Sequence, residues 1–492
     1  MIWSETRPHF LGGRLFVVKR TNKVLTLCAF FLIGLLVARL HVILPGWFVI
    51  LLGLVALTAV KKPIFHFILI LLFGLSLGIW RGAGYMQALQ PYQNFARQKV
   101  TLQAKVCLDA VYGTKGQLSF EVKRVRFLTP QKVEVPGTIK VSGFGELAIY
   151  RGDIVEITGK LYPTRGGKQA TIGYAQFKKI GSEQTWVDGF RRSFVAGMQT
   201  ALPEPAASFG LGLVIGQRNT LPYDISQAFL MVGLTHIIAV SGYNLTILLN
   251  AAKRLFEKRS KFFMMLFAAG LISFFLLITG ASASIVRAAV VSGLGLAAWY
   301  YGRPVRPMVL ILLAAALTTY ATPIYFWSDI GWWLSILAFF GILVIAPKLT
   351  TKLFSKKAAP TLALIAIETF CAELMTIPLI MFIFGQVSLI GLLANVLVAF
   401  FIPVAMLLSA VAAAAGMLVP LLAGWFAWPA QLVLTYMLDM TALLSRVPHV
   451  FKTNVYLSIF DITLCYSLVL LAVYGLYKKR KSWYLTVDGT RS

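Results

Sequence analysis

The sequence predicts a polytopic α-helical membrane protein of about twelve spans, with a small extracytoplasmic β-barrel inserted after the third span. Three observations predict this. Hydrophobic residues make up 58% of the 492 residues and charged residues 13%, with a mean hydropathy of +0.77, which excludes a soluble globular chain. Long apolar runs alternate with short basic connections, so the spans are helical; a membrane barrel would instead show alternating segments of about ten residues. Between 95 and 182 the chain turns polar and glycine-rich and alternates with period two.

Residues 1–94 are expected to form a three-span region. Arg7, Arg14, Lys19, Arg20 and Lys23 face one acid, Glu5, which puts the amino terminus in the cytoplasm by the positive-inside rule. The first apolar run has basic residues before it and no small-residue cleavage site, so it is expected to remain as an anchor. Runs at 24–41, 42–60 and 63–84 follow. Lys61 and Lys62 belong inside, so the third run exits outward.

The insert at 95–182 therefore lies outside. Val100, Leu102, Ala104, Val106 and Leu108 alternate with polar residues, and Leu118, Phe120 and Val122 repeat the pattern of half-buried strands. Further strands are expected at 137–142, 153–161 and 170–178, and the phase shift at Lys123-Arg124 signals a bulge. Five short strands with glycine turns fit a small barrel of OB-fold type. Fifteen Lys and Arg against six Asp and Glu leave an excess of nine positive charges, which topology does not require and a polyanion or an anionic membrane surface would explain. Lys123, Arg124, Arg126, Arg165 and Lys168 are the basic residues singled out for DNA. Among the aromatics Phe120, Phe127, Phe144, Tyr162, Tyr174 and Phe177, most are expected to fill the barrel and the rest could stack bases.

In the stretch 183–234, Trp186, Phe190, Phe194 and Met198 recur at fourfold spacing beside Arg191 and Arg192, the pattern of an amphipathic helix at the outer interface. Gly210 to Gly216 is apolar but too short to span, so it re-enters the bilayer or packs on the bundle. The bundle occupies 235–477, with runs at 235–252, 262–280, 284–301, 307–325, 330–346, 360–384, 389–418, 421–444 and 455–477, and a basic tail at 478–492. This alternation puts Lys253, Arg254, Lys258, Arg259 and Lys261, then Arg303 and Arg306, then Lys348, Lys352, Lys356 and Lys357, and the terminal Lys478 to Lys481 cluster all on the inner side. Much of the net charge of +28 is thereby topology.

Two stretches put polar groups at membrane depth. The first is GLTHIIAVSGYNLTIL, Gly233 to Leu248. His236 and Ser241 are five apart, about 140° around a helix, so they do not form a nucleophile and base on one face. Ser241-Gly242 either breaks the helix and turns backbone groups into a polar cavity or simply lets two helices pack closely. The second stretch, TGASASIVRA, carries Ser284 and Arg287. The arginine either snorkels to the outer interface or faces an anion's path. Asp329, Glu368, Glu373, Asn395, Asp439 and Asp461 lie in or beside apolar runs, and each alone reads first as structural. The four cysteines are scattered, and no spacing suits a metal or a disulfide framework. No GxxxxGK[ST] loop is present, so no cofactor is expected and energy must come from elsewhere. A channel, a secondary transporter of a small anionic solute and a membrane enzyme acting on lipid-linked substrates all remain open on these residues.

GLTHIIAVSG (233–242), TGASASIVRA (279–288), DIGWWLSILAFFGI (329–342) and FGQVSLIGLLANVLV (384–398) follow in the order and spacing of the ComEC family of bacterial competence proteins, which this chain resembles over nearly its whole length. The resemblance implies a non-enzymatic inner-membrane channel that admits single-stranded transforming DNA, with both termini cytoplasmic. It assigns motif positions to His236, Ser241, Gly242, Ser284, Arg287, Ser335, Gln386 and Asn395, and Asn244, Asp329 and Glu373 join them as channel residues. Implied partners are membrane lipids, an external DNA receptor, a cytoplasmic helicase or motor and a separate nuclease; self-association into a homo-oligomer stays open. Two departures stand out. Tyr243 and Asn244 replace a small residue and a second histidine, and no HxHxDH run of a metallo-β-lactamase-like domain follows the last span.

Overall fold

The computed structural model describes residues 20–57, 63–107, 109–112, 117–145, 149–164, 168–217, 221–238, 242–256, 258–280, 283–303, 306–354 and 359–487. The chain divides into two compact units, Met1–Met86 and Gln87–Ser492.

The first unit contains α1 (Arg20–Ala38), α2 (Gly46–Leu57) and most of α3 (Pro63–Ala88). A β-carbon on Gly34 would fall on the Leu75 carbonyl, and one on Gly78 on the Phe31 carbonyl. Bare backbone at these two positions lets α1 and α3 touch main chain to main chain, the packing available where lipid gives helices no hydrophobic reason to associate.

The second unit begins with α4 (Gln90–Asn94) and seven strands: β1 (Lys99–Val106), β2 (Val111–Tyr112), β3 (Leu118–Thr129), β4 (Val133–Val135), β5 (Ile139–Gly145), β6 (Asp153–Pro163) and β7 (Ala170–Ser182). β1 pairs with both β3 and β6, β6 with β7, β7 with β5 and β5 with β3; only β5–β7 is parallel. These five strands close on themselves, and the short β2 and β4, which the alternation did not announce, hang on β3. The extra residue in β3 falls where the phase shift lies: Gln103 faces Arg126 while Lys105 faces Lys123, and Arg124 takes a left-handed φ of 52°. Phe120, Phe127 and Phe177 fill the interior with Val100, Leu102, Ile139, Ile157 and Ile172. Tyr92 and Phe95 meet Phe127 edge-on and close one end.

The helices that follow are α5 (Trp186–Ala201), α6 (Ala206–Ile215), α7 (Tyr223–Met231), α8 (Thr235–Ile238), α9 (Gly242–Leu255), α10 (Lys261–Thr279), α11 (Ala283–Tyr300), α12 (Pro307–Ala321), α13 (Ile324–Ser328), α14 (Ile330–Phe340), α15 (Ala346–Leu353), α16 (Thr361–Phe384), α17 (Gly391–Ala399), α18 (Ile402–Leu418), α19 (Ala423–Ser445) and α20 (Ile459–Val487). A π-helical turn, Gly341–Ile345, joins α14 to α15. A two-stranded ribbon pairs β8 (Gln386–Ser388) with β9 (Phe451–Thr453).

Among the described residues of the whole chain, six helical segments are long and apolar enough to cross a membrane, or seven if α17 and α18, bent by 47°, count as one. Four of the other expected runs fold as apolar helices at Gly46–Ala56, Ser284–Tyr300, Pro307–Ala321 and Ile459–Gly475, and 235–252 is divided between α8 and α9. For α2 and α12 the shortfall is one of length. A helix of 15 residues such as α12 rises about 22 Å against about 30 Å of hydrocarbon.

The apolar face of α5, expected at a membrane surface, meets protein from Phe194 onward, while Trp186 at its start stays exposed. Val187, Phe194, Met198 and Ala201 are buried, and a β-carbon on Gly416 of α18 would land on the Gly197 carbonyl. α6 is buried along almost its whole length rather than re-entrant toward lipid.

A cluster of charge joins barrel to bundle. Arg151, just before β6, pairs with Asp188 of α5 at 3.0 Å and donates to the carbonyls of Leu277 and Ile278 at 2.7 and 3.0 Å. Arg191 of α5 donates to Ile278 O at 2.8 Å and lies 3.7 Å from Asp109. Two guanidinium groups thus sit on the carboxyl end of α10, where the helix dipole and unpaired carbonyls favour cations.

Replacing Gly197 or Gly416 by valine should overpack the α5–α18 contact and cost about 1–3 kcal/mol, read as a lower melting temperature in detergent. Asp153 gives a pH dependence: burial pushes its carboxyl up, but the Tyr150 amide at 2.9 Å, Lys179 at 3.0 Å and the Ser182 hydroxyl at 2.8 Å outweigh this and hold it below its ordinary 3.8. A depressed carboxylate stabilises the fold above 3.8 and loses that contribution as pH falls through the lower folded value. The protection of the β6 and β7 amides against hydrogen exchange, relative to the intrinsic rate at each pH, should fall on that acid limb, and Asp153→Asn should flatten the dependence.

Candidate functional site

The first polar stretch is built around a turn that only glycine fits. Gly233 has a φ of 75°, and a β-carbon there would stand 3.1 Å from Ser388 and 3.5 Å from the Cα of Gly391. The chain then makes the single turn of α8, whose Ile237 and Ile238 enter the core while Thr235 and His236 are exposed. His236 keeps an exposed side chain although protein groups of two other elements lie beside it.

What faces His236 comes from two other helices. Its ring lies near the Gly233 carbonyl and the amide of Asn395 on α17. The approach to Asn395 lacks hydrogen-bond alignment, since Asn395 Oδ1 has no such partner among the described residues. Asn395 Nδ2 donates to Thr369 Oγ1 of α16. One turn along α16, Glu373 Oε1 would be 2.9 Å from a β-carbon on Gly391. Thr369 and Glu373 are four apart, as are Gly391 and Asn395, so each helix presents one polar face to the other. Ser388 Oγ, buried and without a partner among the described residues, adds to the set. Sequence reasoning named Glu373 and Asn395 but missed Thr369, Ser388 and Gly391; the i, i+4 spacing of Thr369 and Glu373 was the available signal.

Arg287 organises the second stretch. It is 0% exposed. Its Nη2 donates to Ser284 Oγ at 3.1 Å and across to the Gly331 carbonyl at 2.9 Å, while Nε and Nη1 have no partner among the described residues. Asp329 and Tyr325 act on it electrostatically, but Asp329 spends its own oxygen capping α14 through the Trp332 amide at 2.9 Å. The guanidinium therefore turns inward, and the snorkelling reading does not apply. The two polar stretches meet through Gly242: its β-carbon would stand 3.0 Å from Ala288, the residue after Arg287, and 3.5 Å from Phe339.

The other sequence candidates scatter. Asn244 is buried and donates to the Leu213 carbonyl at 2.8 Å, tying α9 to α6. Ser335 is half-buried on α14, and Gln386 faces Thr453 in the ribbon. Ser241 lies outside the described residues, as does Arg165. On the barrel, Lys123 is exposed, but Lys168 pairs with Glu121, Arg126 lies 3.8 Å from Glu134, and Arg124 lies 3.7 Å from Glu183. Of the six barrel aromatics, Phe144, Tyr162 and Tyr174 point outward. No group of three or more metal-ligating side chains occurs among the described residues.

The arrangement supplies donors, acceptors and a buried cation along helix breaks. A family model described as a competence protein matches residues 213–479, which includes every element of both polar stretches. The chain is also 24% identical over 228 residues to ComE operon protein 3 of Bacillus subtilis (strain 168), a match covering 45% of this chain and 28% of that relative. No solved structure matches. With more than half of its length matched and the four motifs in order, the chain belongs to the competence protein family and is of the ComEC type.

Proposed function

We propose that the protein is a conduit for single-stranded DNA across the bacterial inner membrane, acting without covalent chemistry of its own. The observation that carries this reading is the meeting of polar groups from separate segments of an apolar bundle: His236 lies beside Asn395, Ser388 lies against Gly233, and Asn395 Oδ1 and Ser388 Oγ have no hydrogen-bond partner among the described residues. Polar groups at that depth are tolerated where they line a hydrated path, because hydrocarbon leaves them unpaired at a cost of several kcal/mol each. Arg287, whose Nε and Nη1 have no partner among the described residues, gives the same region a fixed positive charge suited to a polyanion.

On this reading the shorter apolar helices cross with the longer ones, about twelve spans in all, and both termini lie in the cytoplasm, where the basic connections collect. The barrel stands outside and is of OB type: its five closed strands run β1-β3-β5-β7-β6 with one parallel pair. Direction and energy come from a cytoplasmic motor that pulls the strand, the second strand is removed by a separate nuclease, and an external receptor delivers the duplex.

Deleting the gene should abolish entry of labelled DNA into the cytoplasm while leaving surface binding intact, and the wild-type gene should restore it; normal entry in the deletion strain would remove the proposal. Complementation with Arg287→Ala should leave entry at least about tenfold lower, equivalent to about 1.4 kcal/mol on the limiting barrier. Arg287→Lys should recover part of it, since the charge returns without the fork that reaches Ser284 and Gly331 together.

A further inference from the structure

The best-equipped surface for a nucleic acid strand is not among the paired cations of β3. On the other side of the barrel, β1, β6 and β7 carry Lys99, Lys160, Tyr162 and Tyr174 outward, with Arg97 at the edge. Lys99 and Lys160 are directly opposite each other, an arrangement of like charges that weakens a sheet. Arg97, held against β6 by its amide on the Leu161 carbonyl at 2.7 Å, is also exposed. These three cations have no ion pair among the described residues.

Tyr174 is the anomaly. It sits on a bulge, where Thr158 faces Gln176 but Lys160 faces Gly173, with a left-handed φ of 51° and a side chain 82% exposed. A non-glycine residue at positive φ is costly, and this ring gains no packing in return. Bulges re-aim side chains, and this one lifts an aromatic beside the Lys160–Tyr162 pair, in which Nζ stands 5.8 Å from the ring centroid. Nothing lies within 4 Å of where a β-carbon on Gly173 would be, so the floor between Tyr162 and Tyr174 is open.

We infer that this face of β1, β6 and β7 binds single-stranded DNA, with Tyr162 and Tyr174 stacking on bases and Arg97, Lys99 and Lys160 meeting phosphates. The inference rests on the uptake reading and adds to it the surface that receives the strand. Stacking platforms beside basic residues are how single strands are held without sequence preference. An anionic membrane would be the rival partner, but Thr171 is paired with Tyr162 and the Thr101 and Thr158 hydroxyls bond each other at 3.1 Å, so polar residues interrupt a face that would have to be continuously apolar to enter a bilayer.

The test uses the full-length protein in nanodiscs of neutral lipid and fluorescence anisotropy with an oligo-dT of about 16 nucleotides. Tyr174→Gly suits the left-handed backbone and should keep or raise the melting temperature while weakening binding about tenfold. Lys99→Gln with Lys160→Gln should reduce the slope of log K against log salt by about 1.4. Binding of both variants with wild-type affinity and slope would overturn the assignment, as would the absence of oligo-dT binding by the wild type. So would loss of binding to phosphatidylglycerol vesicles in these variants with oligo-dT binding unchanged. If the wild type binds and the variants are indifferent, only this surface falls; normal DNA entry in the deletion strain removes the reading beneath it.

Discussion

Inside hydrocarbon a backbone amide or carbonyl has no water to turn to, and the second unit is arranged around the places where its helices break that rule. The main break follows Gly233. There the chain leaves the regular helix of α7 and resumes it in α8, and the structure answers by crowding protein against the turn. Ser388 and Gly391 press on Gly233, Asn244 reaches from α9 to the Leu213 carbonyl, and Ala288 and Phe339 lie against Gly242. Three separate segments of chain must be correctly placed before this one turn is tolerable. The polar stretch and the packing that supports it are one construction.

Close approach is the means. Gly197 with Gly416, Gly242 with Ala288 and Gly391 with Glu373 are all places where a missing side chain lets another element touch backbone. Helix association in lipid depends on such contacts because burial of apolar surface there gains little. The same absence of bulk that permits the packing leaves main chain and short polar side chains facing inward.

The barrel is coupled to this bundle through charge. Arg151 and Arg191 both reach the end of α10, and Asp109 and Asp188 hold them there. A buried cation left unpaired is expensive, and these are paired and hydrogen-bonded together. α10 leads directly into the TGASAS stretch and Arg287, so the element that anchors the barrel is the one that opens the second polar stretch.

Local sequence determined the parts. Hydropathy identified the helices, and period-two alternation located all five barrel strands and the bulge at Arg124, because burial of one face leaves its mark on residues a few positions apart. Partners were another matter. That Arg287 turns to Gly331 rather than to the surface, that α5 meets α18 rather than lipid, that Glu373 lies on Gly391, and that Lys168 is paired while Lys160 is not were decided by tertiary structure alone. Each depends on residues tens to hundreds of positions away, and a polar group's choice among distant partners leaves no periodic trace in its own neighbourhood.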